Sequence, residues 1–277
     1  MASVGGQARV PCVFCGSQVA LTDEHVYARW MRETMRATGR TTVSRGAAQV
    51  PVRTDTGLTV LFRKGVCRAC NTGWLSGMER TVSSHIRPAL LGQKIVLTPE
   101  AQQIVAAWAV KQALLLELAM RLMRKKTYAP ESNLRWLYDN RHDPVAPPGS
   151  QVWLAAVDAQ LGTEDSLTAW NKAGCAGADP ADPDQFFVAF SAGYLLFQVA
   201  GQDFQGSDHL ARFGEPLMTF IRPQELLSIV VSIWPRRDEL VVWPPPFAVR
   251  RADLPRLADW AHTTAVRHVE FRIPQLK

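Results

Sequence analysis

The hydrophobic pattern of residues 95–277 predicts one long buried helix followed mainly by β-strands. Apolar side chains lie almost all round the helix predicted from Thr98-Pro99-Glu100 to about Lys126, where proline occupies the first helical position and basic residues the last turn. Shorter helices are predicted over 131–140 and 254–263. Runs of β-branched and aromatic residues predict strands over 151–157, 186–191, 194–200, 226–234, 239–243 and 266–273. The segment 162–184, rich in glycine, alanine, aspartate and proline, predicts a long loop.

The pattern of residues 1–94 predicts shorter elements. A hairpin is predicted with strands over 10–14 and 18–22 around the turn Gly16-Ser17, and helical spacing follows over 26–38. Two β-type runs, 49–53 and 58–62, precede a helix over 74–85 that Pro88 helps to close. Because the segment 92–98 interrupts both patterns, we expect two regions, 1–94 and 95–277, in a protein of the α+β class.

Composition indicates a folded protein with an uneven charge distribution. The chain is 47% hydrophobic and contains 9 Trp and 11 Phe, which excludes a disordered chain. Residues 1–94 contain 13 Lys and Arg against 5 Asp and Glu, whereas residues 95–277 contain 18 against 20. A basic module joined to a neutral one is typical of proteins that bind phosphate backbones. We therefore expect DNA as the partner, with RNA as the alternative, and the oligomeric state is left open.

Four of the five cysteines form two C-x2-C pairs, Cys12/Cys15 and Cys67/Cys70. Four thiolates in two such pairs can close a tetrahedral zinc site. Paired cysteines of this kind also favour a reducing cytoplasm over disulfide formation. The N-terminus carries no signal-peptide pattern, and the longest uncharged stretch, 185–202, is typical of strands rather than of a membrane span. We expect a cytoplasmic protein with one structural zinc and no membrane contact.

The residues around the cysteines form a recognisable order: C-x2-C-G, then L-T-D-E-H-V, then C-x2-C-N, then G-W-x-S-x-x-E. Over about residues 10–80 this order resembles the HNH endonucleases of the His-Me finger (ββα-metal) class, in the variant braced by a four-cysteine zinc. The resemblance implies a zinc-braced finger in residues 1–94, followed by a region of mixed helices and antiparallel strands.

The resemblance also implies a role for each residue that matches the family pattern. His25 would be the general base, and Glu24 together with Asn71 would bind a catalytic divalent ion, Mg²⁺ or Mn²⁺. The chemistry needs these residue types, because imidazole can accept a proton from water near neutral pH and hard oxygen ligands suit such an ion. The side chains predicted to contact the nucleic-acid backbone are Arg29, Arg32, Arg63, Lys64 and Arg68.

Other interpretations stay open at the level of sequence. Residues 59–66 contain no Asn to orient the base, which favours a catalytically silent zinc module that binds nucleic acid or protein. Asn71 could cap the following helix instead of binding a metal. Glu79 could face the same site from two helical turns further on, or it could point to solvent or form a salt bridge. Residues 95–277 carry no chemical signature, and a ligand-sensing role is neither supported nor excluded.

Overall fold

The structure is a computed structural model that describes residues 10–35, 42–43, 60–120, 129–158, 169–176, 185–203, 229–250 and 271–272. Within these residues the helices are α1 (Arg29–Met35), α2 (Arg68–Cys70), a π-helical segment (Asn71–Leu75), α3 (Ser76–Leu90), α4 (Pro99–Met120) and α5 (Glu131–Asp139). The strands are β1 (Leu21–His25), β2 (Thr42–Val43), β3 (Leu61–Cys67), β4 (Ile95–Leu97), β5 (Gln151–Asp158), β6 (Ala169–Ala176), β7 (Gln185–Ala192), β8 (Leu195–Gln202), β9 (Val230–Trp234), β10 (Val241–Trp243), β11 (Ala248–Arg250) and β12 (Phe271–Arg272).

The largest element of the fold is a mainly antiparallel sheet with the strand order β12-β11-β5-β8-β7-β6-β2, and β9 also pairs with β5. The strands β5 to β8 pair antiparallel with their neighbours, whereas β11 joins β5 in parallel and β2 joins β6 in parallel. The mixture of helices and mainly antiparallel strands confirms the predicted α+β class.

Helix α4 is the buried centre of the molecule. Its residues from Val105 to Leu116 are almost completely shielded from solvent, as a helix that is apolar nearly all round requires. Trp108 packs against Phe190 and Phe197 of the sheet, with ring centroids 6.2 and 5.4 Å away. The same buried cluster includes side chains from both sides of the predicted seam, among them Met31 of α1 and Val82 of α3. The division into regions 1–94 and 95–277 stays a prediction.

The N-terminal elements assemble by long-range pairing. Strand β1 pairs antiparallel with β3, which lies about 40 residues further along the chain, and the register shifts between Thr22 and Glu24. The predicted hairpin over 10–22 is wrong, because residues 10–20 form turns and extended chain and β1 begins at Leu21. The reason is that the strand partner comes from the segment leading into the second cysteine pair.

Most of the other elements follow the sequence prediction with shifted ends, whereas β2, β4 and β11 were not predicted. Residues 169–176 form β6 inside the segment that we predicted as a loop, because β7 offers this segment a full antiparallel partner. Helix α3 continues through Pro88 to Leu90 instead of closing before it. The strand predicted over 49–53 and the helix predicted over 254–263 lie outside the described residues.

The tight turn between β7 and β8 anchors the end of α3 to the sheet. Gly193 has φ +58°, and a Cβ atom built there would lie 2.1 Å from the carbonyl oxygen of Leu90, the last residue of α3. The same oxygen accepts a hydrogen bond of 3.2 Å from the backbone N–H of Tyr194. The close approach of helix and turn thus requires the absence of a side chain at position 193.

We predict opposite effects for alanine at two glycines. Gly193→Ala should lower the free energy of unfolding by at least about 2 kcal/mol, because it adds both left-handed backbone strain and a clash with the helix backbone. Gly77→Ala is the matched control in α3, where a Cβ meets only the tip of Arg80 at 3.9 Å. It should raise the free energy of unfolding by about 0.5–1 kcal/mol. Denaturant unfolding of both variants is the measurement, and a shift in the same direction would contradict the predicted anchor.

Candidate functional site

The two cysteine pairs meet in one cluster, as their spacing predicts. The four Sγ atoms of Cys12, Cys15, Cys67 and Cys70 all lie within 4.8 Å of one another, and those of Cys15 and Cys67 are 3.6 Å apart. Sulfur atoms at about 2.3 Å from a tetrahedral zinc would be about 3.8 Å apart. Cys12, Cys67 and Cys70 are buried and Cys15 is half-buried. The cluster therefore has the ligand number, the ligand type and the dimensions to hold a metal ion such as zinc.

Local backbone structure positions each pair of cysteines. The first pair lies on a turn in which the backbone N–H of Gly16 bonds to the carbonyl of Cys12, and the N–H of Cys12 bonds to the carbonyl of Ser17, both at 2.8 Å. The second pair is held by a helix start, because the Sγ of Cys67 accepts a bond from the backbone N–H of Cys70. A hydrogen bond from the Cys70 thiol lowers the pKa of Cys12 to about 4, so one thiolate is stabilised even among crowded thiols.

Beside the cluster, an open groove of about 810 Å³ runs between α1 and α3, and it is lined by residues from 24–33 and 71–88. Glu24, His25 and Asn71 all contribute to this lining. Adjacent side chains of a regular strand point to opposite faces. Glu24 and His25 nevertheless both line the groove where β1 ends, just beyond the register shift. The structure thus brings the three predicted site residues into the lining of a single groove.

The side chain of Asn71 ties the helical segment to β1. Its Nδ2 donates to the Oγ1 of Thr22 at 2.9 Å and to the carbonyl oxygen of Asp23 at 3.1 Å. A capping side chain would accept a bond from a helix N–H. This amide group donates instead, so the observed bonds are not those of a cap. With the nitrogen turned to the strand, the carboxamide oxygen is the atom suited to ligate a cation.

Glu24 is a buried carboxylic acid. Only 7% of the residue is exposed, and this burial raises the pKa of Glu24 to about 6. The positive charge of Lys111 acts in the opposite direction, and the negative charge of Glu79 adds to the increase. A cation bound in the groove would favour the ionised carboxylate, because an opposite charge offsets the cost of desolvation.

His25 is half-buried at the end of β1, opposite Leu61 of β3. Burial lowers the pKa of His25, the nearby charge of Arg32 lowers it further, and Asp23 partly opposes both effects. An imidazole with a lowered pKa is neutral near pH 7, which is the form that can accept a proton.

At the floor of the groove, Glu79 forms an ion pair with Lys111. The sequence analysis considered Glu79 but did not identify its partner. Glu79 of α3 accepts hydrogen bonds from Lys111 Nζ at 2.6 Å and Trp108 Nε1 at 2.9 Å, both from α4, and from Trp30 Nε1 of α1 at 2.7 Å. The Lys111 side chain is completely buried. Glu79 therefore both faces the site and forms a salt bridge. The available signal for Lys111 was a cation in the middle of a helix predicted to be buried, where a charge requires a partner.

The predicted nucleic-acid contacts separate into two groups. Arg29 lines the groove, where its Nε lies 2.7 Å from Glu33 Oε1, and Arg32 lies close enough to His25 to affect the pKa of the imidazole. Three of the predicted side chains are exposed on β3 and α2 and do not line the groove: Arg63, Lys64 and Arg68. Two arginines of α3 that the sequence analysis did not select, Arg80 and Arg87, line it instead.

No family model, curated protein or solved structure matches this chain. Among the described residues, no helix combines the length and the hydropathy needed to span a membrane.

We predict one zinc ion per chain, held by the four clustered cysteines. Replacing any of them by serine should unfold the N-terminal third and release the metal, because the binding energy of a structural zinc, on the order of 10 kcal/mol, is also folding energy. Cys175→Ser is the control, since Cys175 belongs to neither pair, and it should retain the ion. Elemental analysis of undenatured protein measures the content, and the absence of zinc from the native protein would refute the prediction.

We also predict a pH-dependent stability effect at Glu24. Its raised pKa means that the folded state favours the protonated acid, so this contribution is complete below the unfolded pKa near 4.5 and is lost as the pH rises through about 6. Glu24→Gln should therefore gain stability relative to wild type by about 2 kcal/mol between pH 4 and pH 8 in buffers without divalent cations. Unfolding free energies at both pH values measure the difference.

Glu33→Gln is the matched control, because Glu33 lies on α1 with an exposed side chain that water can hydrate. Its stability relative to wild type should change much less over the same pH range. An equal pH dependence for the two variants would show that burial of Glu24 is not the cause.

Proposed function

We propose that this protein is a metal-dependent endonuclease of the HNH type, which hydrolyses phosphodiester bonds of DNA. One observation carries the proposal: Glu24, His25 and Asn71 line one groove. The framework around them supports it, since an antiparallel strand pair, β1 and β3, is followed by the helical segment that begins at Asn71, beside a four-cysteine cluster. RNA, which has the same phosphodiester linkage, is the alternative substrate.

His25 acts as the general base in this proposal. It accepts a proton from the water that attacks phosphorus, and its lowered pKa keeps the ring neutral at physiological pH. The position of the imidazole at the end of β1 and beside Glu24 places this base at the groove surface.

Glu24 and Asn71 would hold the divalent ion. A bound Mg²⁺ or Mn²⁺ would neutralise charge on the phosphate and on the leaving oxygen. The carboxylate of Glu24 and the carboxamide oxygen of Asn71 are hard ligands of the kind that such ions prefer. The bonds from Asn71 to β1 keep its amide group oriented before any ion arrives, and the buried Glu24 is ready to ionise when a cation approaches.

The rival function is a zinc module that binds nucleic acid without cutting it. The lack of an Asn in residues 59–66 favours this alternative, because a polar side chain commonly orients the base in HNH enzymes. Loss of cleavage in a single histidine variant separates the two functions.

We predict that the purified protein nicks or cuts plasmid DNA in the presence of Mg²⁺ or Mn²⁺, and that His25→Ala reduces the rate by about 10²–10⁴-fold. His142→Ala is the control, since it removes an exposed histidine outside the groove lining and should cut normally. Glu24→Gln should also cut slowly, and additional metal should restore part of its rate but none of the rate of His25→Ala.

Gel electrophoresis of the plasmid forms measures these rates, with zinc content determined for each variant to confirm the fold. Equal inertness of wild type and His25→Ala on DNA and RNA with both metals would refute the nuclease proposal and support the silent module.

A further inference from the structure

One wall of the groove is a single polar face of α3. The groove-lining residues of this helix recur at intervals of three and four, which places them on one side: Ser76, Glu79, Arg80, Ser83, Ser84 and Arg87. The opposite side carries the buried residues Met78, Val82 and Ile86. Apart from Glu79, whose carboxylate is bound at the floor of the groove, the face offers hydroxyl and guanidinium groups. Both are groups that bind phosphate oxygens.

The two arginines on this face, Arg80 and Arg87, are exposed and line the groove. Arg80 Nη1 donates to the Oγ of Ser76 at 3.1 Å, and the Arg87 guanidinium lies 5.8 Å from the ring centroid of Trp30. Neither forms an ion pair with a carboxylate among the described residues. Arg29 on the opposite wall differs, because Glu33 neutralises it at 2.7 Å. Arg80 and Arg87 are thus the groove arginines best placed to meet an external anion.

The spacing of the two arginines suits a polymer of phosphates. Seven residues of α-helix separate them, which is about 10.5 Å along the axis. Phosphates of one DNA strand advance about 3.4 Å along the duplex axis per nucleotide, so the arginines are about three nucleotides apart. The groove continues from Glu24, His25 and Asn71 along this helix to Pro88. A strand with its reacting phosphate at the first three residues would pass Arg80 and then Arg87.

We propose that the groove between α1 and α3 binds one strand of nucleic acid along α3, with Arg80 and Arg87 contacting phosphates about three nucleotides apart. The proposal rests on the nuclease function for the location of the reacting phosphate. It assigns recognition of the nucleic-acid backbone to one face of α3, which the basic composition alone did not identify. It also moves the main contact away from the exposed cations of β3 and α2.

The test is binding of fluorescently labelled single-stranded and duplex 12-mers at 50–300 mM salt, in the His25→Ala background without magnesium or manganese. Arg80→Ala and Arg87→Ala should each reduce the slope of log K against log salt by about 0.7 for single strands or about 0.9 for duplex. A slope change of 0.7 corresponds to about fivefold weaker binding at 0.1 M salt. Thermal unfolding and zinc content confirm that each variant folds like its parent.

Two matched controls remove exposed cations that lie outside the groove lining, Lys94→Ala and Arg237→Ala. Both should keep the slope of the parent. Equal losses in the controls, or no loss for Arg80→Ala and Arg87→Ala, would overturn the proposed path.

A series of shorter strands tests whether the ligand is a polymer. Affinity should rise with length until the strand spans both arginines, and a mononucleotide that binds as tightly as the 12-mer would overturn the proposal. These measurements need no turnover. A protein that binds as expected but never cuts would therefore refute the nuclease function alone, whereas cleavage without the arginine effects would refute the strand path alone.

Discussion

The geometry of the groove depends on the buried carboxylate of Glu79. It receives hydrogen bonds from one side chain of α1 and two of α4, so a single acidic group joins three helices. A buried charge is costly unless it is paired and hydrogen-bonded, and removal of one partner from such a pair typically costs about 3–5 kcal/mol. The folded state is therefore most stable when α1, α3 and α4 meet at Glu79. Because Lys111 and Trp108 come from residues 95–277, the part of the chain that has no recognisable chemistry of its own holds in place a carboxylate that lines the groove.

Much of the site could be predicted because short motifs mark it in the sequence, even though the two cysteine pairs are separated along the chain. The two C-x2-C pairs predicted one cluster, and the order of Glu24, His25 and Asn71 around them predicted one site, and both groups do converge. The long helix and the strands β5, β7, β8, β9 and β10 were also predicted, because a largely apolar helix and β-branched runs have strong local signatures, whereas β6 and β11 were missed. Local patterns thus sufficed wherever the structure is determined within one element.

The rest depends on contacts between distant residues. The pairing of β1 with β3 joins segments about 40 residues apart, and no local feature of residues 10–25 shows that their partner lies beyond position 60. The bond between Glu79 and Lys111 crosses 32 residues and two helices. Arg80 and Arg87 have no unusual neighbours in the sequence, and only the packing of α1 against α3 turns their helix face into the wall of a groove. Basic composition indicated an anionic partner without indicating which cations would face it.

The kink in the π-helical segment sets the rotational phase between the cysteine cluster and α3. In an unbroken α-helix Asn71 would lie about 180° from Arg80, on the far side of the axis, because each residue turns by about 100°. A kink at Gly73, where the backbone angles are non-helical, interrupts this phase, and both side chains line one groove. Insertion or deletion of one residue here would turn the cysteine cluster and Asn71 by about 100° relative to the face of α3. The length of this segment therefore matters to the groove as much as the identity of Asn71.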